Sequence, residues 1–283
     1  MGVYYLLFKA KKLRVIAIKL SLKSLRLSMR NIGYQCKIGS SALLGEATLA
    51  TLMFVGNQVF MKYLGDNGVG AFGIACYYTP FVFMVGNAIA QSAQPILSYN
   101  FGINLYKRVS QTEKLALKTA LMCGIVVTAI FYFFPHWLVG LFLPLDNAAA
   151  KIAVTGLPLF SLGFICFIVN LTAIGYYQSL ERIGAATTFA LLRGLLILVP
   201  AFYLLPMAIG NNGIWLAMPT SEILTSLLIF IYYLLTRTIS QLEKARVIDP
   251  FGHEEFAPRG QSRVPKGVNH TRLFQQPNFK SNI

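Results

Sequence analysis

Six apolar runs constrain this chain more than any other feature, because each is close to the ~20 residues needed to cross about 30 Å of hydrocarbon as a helix. They are Ser41–Leu64, Val69–Tyr99, Leu115–Leu143, Ile152–Tyr177, Gly184–Ile209 and Asn212–Leu235. None alternates apolar and polar residues with period two, so the runs predict helices and not barrel strands. With 55% hydrophobic and only 12% charged residues, the chain has far more apolar surface than one soluble core could hide. The expected fold is an all-α membrane protein with six transmembrane helices.

The net charge of +15 would suggest nucleic acid, but the positions of the basic residues argue against it. They collect in alternate connections: Lys9 to Lys37 before the first run, Lys107, Arg108, Lys114 and Lys118 between the second and third, Arg182 between the fourth and fifth, and more after Leu235. The opposite connections hold only Lys62 and Lys151. The positive-inside rule then places both termini in the cytoplasm, with the lobe in the plasma (inner) membrane. Residues 1–40 read as a basic segment, either lying on the anionic bilayer surface or forming a solvated connection. Residues 41–237 form the membrane lobe, and residues 238–283, rich in charge, Pro and Gly, read as a disordered cytoplasmic tail. The amino terminus is too charged, and its apolar stretch too short, for a cleavable signal peptide.

Hydrocarbon has no partner for a charge or an amide, so the polar residues within the runs mark faces that meet protein or water. Glu46 lies in the first run, with Asn57 and Gln58 about three turns further on. One inward face could carry all three, with the carboxylate exchanging a proton or holding a cation. The alternative is a helix-start carboxylate stabilised by the helix dipole. Asn87, Gln91 and Gln94 recur at spacings of four and three, which puts them on one stripe, either lining a cavity or joining helices. Arg193 and Glu222 fall near mid-membrane in adjacent runs and could form a buried pair that locks two helices, or contact a substrate. Asn170 and Gln178 make a looser polar set in the fourth run, and prolines, Pro95 among them, are expected to bend helices as moving transporters need.

Enzyme chemistry finds no support. No HExxH, P-loop or GxSxG motif occurs, and the three histidines, His136, His253 and His270, do not cluster. Cys36, Cys76, Cys123 and Cys166 have no paired spacing, so neither a metal site nor a disulfide framework is expected.

Three stretches carry a family resemblance. GEATLATLMFVGNQVFMKYLG, AQSAQPILSYNFGINLYKRV and LLRGLLILVPAFYLLPMAIGNNGIWLAMPTSEILT resemble the seventh, eighth, and eleventh to twelfth helices of the multidrug and toxic compound extrusion (MATE) family of secondary transporters, closest to the bacterial DNA-damage-inducible branch. The resemblance covers roughly residues 1–237 and implies the carboxy-terminal six-helix lobe of a twelve-helix transporter. It implies exchange of protons or sodium for cationic or amphipathic drugs, no cofactor beyond that coupling ion, and an amino-terminal lobe, or a second copy, as partner. It carries Glu46 over as an ion or substrate residue and brings Gln91 and Gln94 to the cavity wall. A truncated, non-transporting membrane subunit and a lipid or polysaccharide flippase are the alternatives.

Overall fold

The computed structural model describes residues 22–247, so most of the expected basic segment and tail lie outside the described residues. Every element among them is helical. The first, α1 (Leu22–Gly102), is two helices merged across a break at Gly65, where φ is 64° and ψ −159°. A residue with a Cβ pays for that backbone, so the GDNG turn uses glycine there. After α1 come α2 (Tyr106–Phe133), a short α3 (Pro135–Gly140), α4 (Ala148–Ser161), α5 (Phe164–Ser179) and α6 (Ile183–Leu191). A π-helical turn (Leu192–Leu196) leads into α7 (Leu198–Ile209), and α8 (Asn211–Val247) ends the described chain.

Among the described residues, four helices are long and apolar enough to cross a membrane, the first of them the 60-residue stretch Leu43–Gly102 that contains the Gly65 break. A fifth follows if α4 and α5, bent by 46°, count as one span. The chain divides into two compact units, Met1–Tyr232 and Tyr233–Ile283. Of the second, only the continuation of α8 to Val247 is described.

Several boundaries differ from the sequence reading, each for a local reason. The run Leu115–Leu143 is not one helix: α2 stops at Phe133, because Pro135 has no N–H to extend it and instead opens α3. Asn147 caps α4, its side chain accepting from the backbone N of Ala149 at 2.9 Å. Helix α1 also reaches back to Leu22, into the expected basic segment. Pro80 and Pro95 do not break it, since Gly65 is its one non-helical residue.

The core lies where both arms of α1 meet α4, α7 and α8. Phe60 and Phe72 stack at 4.4 Å, Trp215 meets Phe60 edge-on at 4.8 Å, and Phe160 and Phe202 pack their edges on Phe72. Such pairs each contribute ~0.5–1.5 kcal/mol beyond their burial. Apolar side chains such as Phe81, Met84, Met122 and Met207 are exposed on the outside, the arrangement a lipid solvent favours.

Candidate functional site: an amide-lined cleft and a buried ion pair

The second arm of α1 packs tightly against α5, because small residues let the backbones approach. A Cβ on Gly175 would stand 2.7 Å from that of Ala90, and one on Gly86 the same distance from Leu171. At the end of this contact, Gln94 Nε2 donates to Gln178 Oε1 at 3.3 Å and Ser98 Oγ to the backbone oxygen of Ser179 at 3.0 Å. Beside it the first arm of α1 stands off, and a cleft of about 770 Å³ opens between the three helical segments.

Helical spacing explains what lines it. Asn87, Gln91, Gln94 and Ser98, at intervals of four, three and four, present one stripe of the second arm. Leu43 and Glu46 come from the first arm, and Ile174, Gly175 and Gln178 from α5. The cleft thus holds four amides and the carboxylates of Glu46 and Glu181, with no basic side chain among the described residues that line it. Glu46 and Gln91 are exposed and Asn87, Gln94 and Gln178 half-buried, and the carboxylate with its neighbouring amide oxygens favours a cation over an anion there.

Asn57 and Gln58 do not join this group. Asn57 does share a face with Glu46, since eleven residues bring a helix almost back to the same angle, but they also carry it about 16 Å along the axis. Both amides are exposed and lie outside the cleft.

Arg193, Glu222 and Asn170 form a separate cluster, buried away from the cleft. Arg193 is 1% exposed and its Nε lies 2.9 Å from Glu222 Oε1, while the guanidinium sits over the Phe167 ring at 4.3 Å. Asn170 Nδ2 donates to Glu222 Oε2 at 2.8 Å and to its backbone oxygen at 2.9 Å, and Ser226 Oγ donates to Asn170 Oδ1 at 2.8 Å. Arg193 occupies the π turn, where an expanded ladder disturbs the carbonyl pairing. Ser221 Oγ donates to its carbonyl at 3.0 Å, so adjacent residues of α8 hold both the backbone and the side chain of Arg193.

Two acids emerge that the sequence reading left aside. Glu181 lines the cleft from the α5–α6 turn with φ of 56°, uncommon for a residue other than glycine. Glu113 is buried on α2 and accepts a hydrogen bond from Tyr176. Its signal was present in the sequence. Val109, Glu113, Ala120, Gly124 and Thr128 share the buried face of α2 at helical spacing, so the phase of Glu113 matches the core and not the basic connection around it.

Comparison with known proteins places the architecture. The MatE family model matches residues 42–204. A multidrug resistance MATE transporter of the MOP superfamily, solved facing outward, superposes with a TM-score of 0.66 at 18% identity, over 74% of this chain and 46% of its own. A MOP superfamily transporter from Pyrococcus furiosus gives 0.67 at 17% identity, over 80% and 52%. An inward-facing MATE transporter gives 0.63 at 17% identity, over 80% and 50%. The chain therefore spans about half the length of the structures it matches. No curated protein gives a significant sequence match.

Proposed function

The chain belongs to the MatE family of membrane transporters, and on that premise we propose that it is the carboxy-terminal lobe of a cation-coupled multidrug antiporter, of the DNA-damage-inducible kind. The observation that carries this reading is the cleft: about 770 Å³, large enough for a drug-sized molecule, with Glu46, Glu181 and four amides on its walls and no basic side chain among the described residues that line it. Glu46 would hold the proton, sodium ion or cationic substrate, and Asn87, Gln91, Gln94 and Gln178 would orient the bound molecule.

Counting both arms of α1 beyond Leu43, α2, the bent α4–α5 pair, the α6–α7 stretch and α8 gives six crossings, an even number that fits both termini in the cytoplasm and a location in the plasma membrane. The half length of the chain beside its structural relatives supports an amino-terminal lobe, or a second copy, closing the open side of the cleft. The same half length favours, as a second reading, a non-transporting subunit that pairs with another chain. A flippase of anionic lipid or polysaccharide is disfavoured, since no cationic group is found among the described residues on the cleft walls.

The test is cation binding by the full chain in lipid nanodiscs, with tetraphenylphosphonium as probe. Glu46→Gln keeps the shape and removes the charge, so affinity should fall by about 1.5–3 kcal/mol, the worth of a contact to a charged group. Sodium or acid should compete with the probe in the wild type and fail to do so in the variant. Unchanged affinity in Glu46→Gln would overturn the role of this carboxylate.

A further inference from the structure

Helix α5 supplies one wall of the cleft; its close contacts with the second arm of α1 at Gly175 and Gly86 limit where it lies, but the hydrophobic effect has no preferred direction and does little to fix a small turn about the helix axis. Hydrogen bonds are directional and fix such a rotation. Asn170, buried one turn before Ile174, commits its whole amide to α8: Nδ2 to the Glu222 carboxylate and backbone, Oδ1 to Ser226. The geometry of the ion pair shows what this does to its partner. A guanidinium ordinarily grips a carboxylate through two parallel bonds, yet here only Nε reaches Glu222, while Nη1 and Nη2 are buried with no partner. The second carboxylate oxygen is taken by Asn170 instead.

We propose that Asn170 is a positioning residue for the cleft: by drawing one oxygen of Glu222 away from Arg193, it pins the rotation of α5 and so sets how Ile174, Gly175 and Gln178 face the bound molecule. Its effect on binding rests on the proposed function; its effect on α5 does not. In Asn170→Leu, of similar size, Glu222 Oε2 is released and can turn to a free Nη of Arg193. The ion pair then becomes two-pointed and stays satisfied, while α5 loses the three hydrogen bonds that Asn170 makes to α8. The variant should remain folded but with a loosened cleft wall.

The experiment uses the full chain in nanodiscs, with Cys36, Cys76, Cys123 and Cys166 replaced by alanine and a single reporter thiol introduced by Gln178→Cys. Adding Asn170→Leu should change the rate of labelling by a water-soluble maleimide roughly fivefold, the ratio that corresponds to about one buried hydrogen bond, with the thermal midpoint little moved. In the native-cysteine protein with Gln178 intact, tetraphenylphosphonium should bind more weakly by a similar factor. Ser226 also hydrogen-bonds Cys166, but in the reporter protein, where Cys166 is already alanine, Ser226→Ala removes the bond to Oδ1 alone and should shift labelling in the same direction by less, which keeps the test open if Asn170→Leu does not fold. A folded Asn170→Leu, or failing that Ser226→Ala, with the parental labelling rate would overturn the proposal. Absence of probe binding in the wild type would overturn the proposed function alone, since the labelling rate decides this inference by itself.

Discussion

Replacing Glu222 with leucine is expected to destabilise the lobe by about 3–5 kcal/mol, the cost of leaving one member of a buried ion pair without its counter-charge. Arg193 is 1% exposed and would keep only its contact with Phe167 and the bond from Ser221 to its carbonyl. The double variant Arg193→Met with Glu222→Met should recover most of that loss, because matched apolar side chains remove the desolvation cost together with the attraction. Unfolding in mixed micelles gives both numbers. A double variant as unstable as Glu222→Leu would mean that the π turn, and not charge balance, is what the pair protects.

The second large effect concerns Gly156 of α4. A Cβ at this position would overlap the Cε2, Cδ2 and Cζ2 atoms of the Trp215 ring, which cannot step aside because Phe60 and Phe160 flank it edge-on at 4.8 and 6.3 Å. Overpacking a filled core by a single methyl costs ~1–3 kcal/mol when neighbours can give way, and here the α4 backbone itself has to move. Gly156→Ala should therefore cost at least that much, and Gly156→Leu should abolish recovery of folded protein from membranes. The paired change Gly156→Ala with Trp215→Phe, which empties the space the methyl needs, should restore part of the yield of monodisperse protein on gel filtration. If Gly156→Ala alone matches the wild-type melting temperature, α4 and α8 do not approach as closely as described.

Signals that depend on one helix were legible in the chain; signals that depend on where helices meet were not. The stripe of Asn87, Gln91 and Gln94 follows from the 3.6-residue period, and all three line the cleft. The GDNG turn marked the place where Gly65 breaks α1. Asn57 and Gln58 show the limit: period puts Asn57 on the face of Glu46, but only the packing of α5 and the second arm decides how far the cleft extends. The π turn at Arg193 was equally hidden, since its carbonyl and side chain are held by Ser221 and Glu222, almost thirty residues away. Glu113 and Glu181 were masked by lysines and arginines beside them, which drew attention to topology and away from burial and the cleft rim. Pro80 and Pro95 sit inside α1 without a non-helical residue beside them, because a helix held on one side by neighbours tolerates a missing N–H without breaking.

That tolerance has a consequence for the wall of the cleft. Pro95 contributes no N–H, so the main-chain oxygen of Gln91, one helical turn earlier, has no donor in its own ladder. It can coordinate water or a desolvated ion beside the residue's amide, and no side-chain replacement at position 91 takes it away.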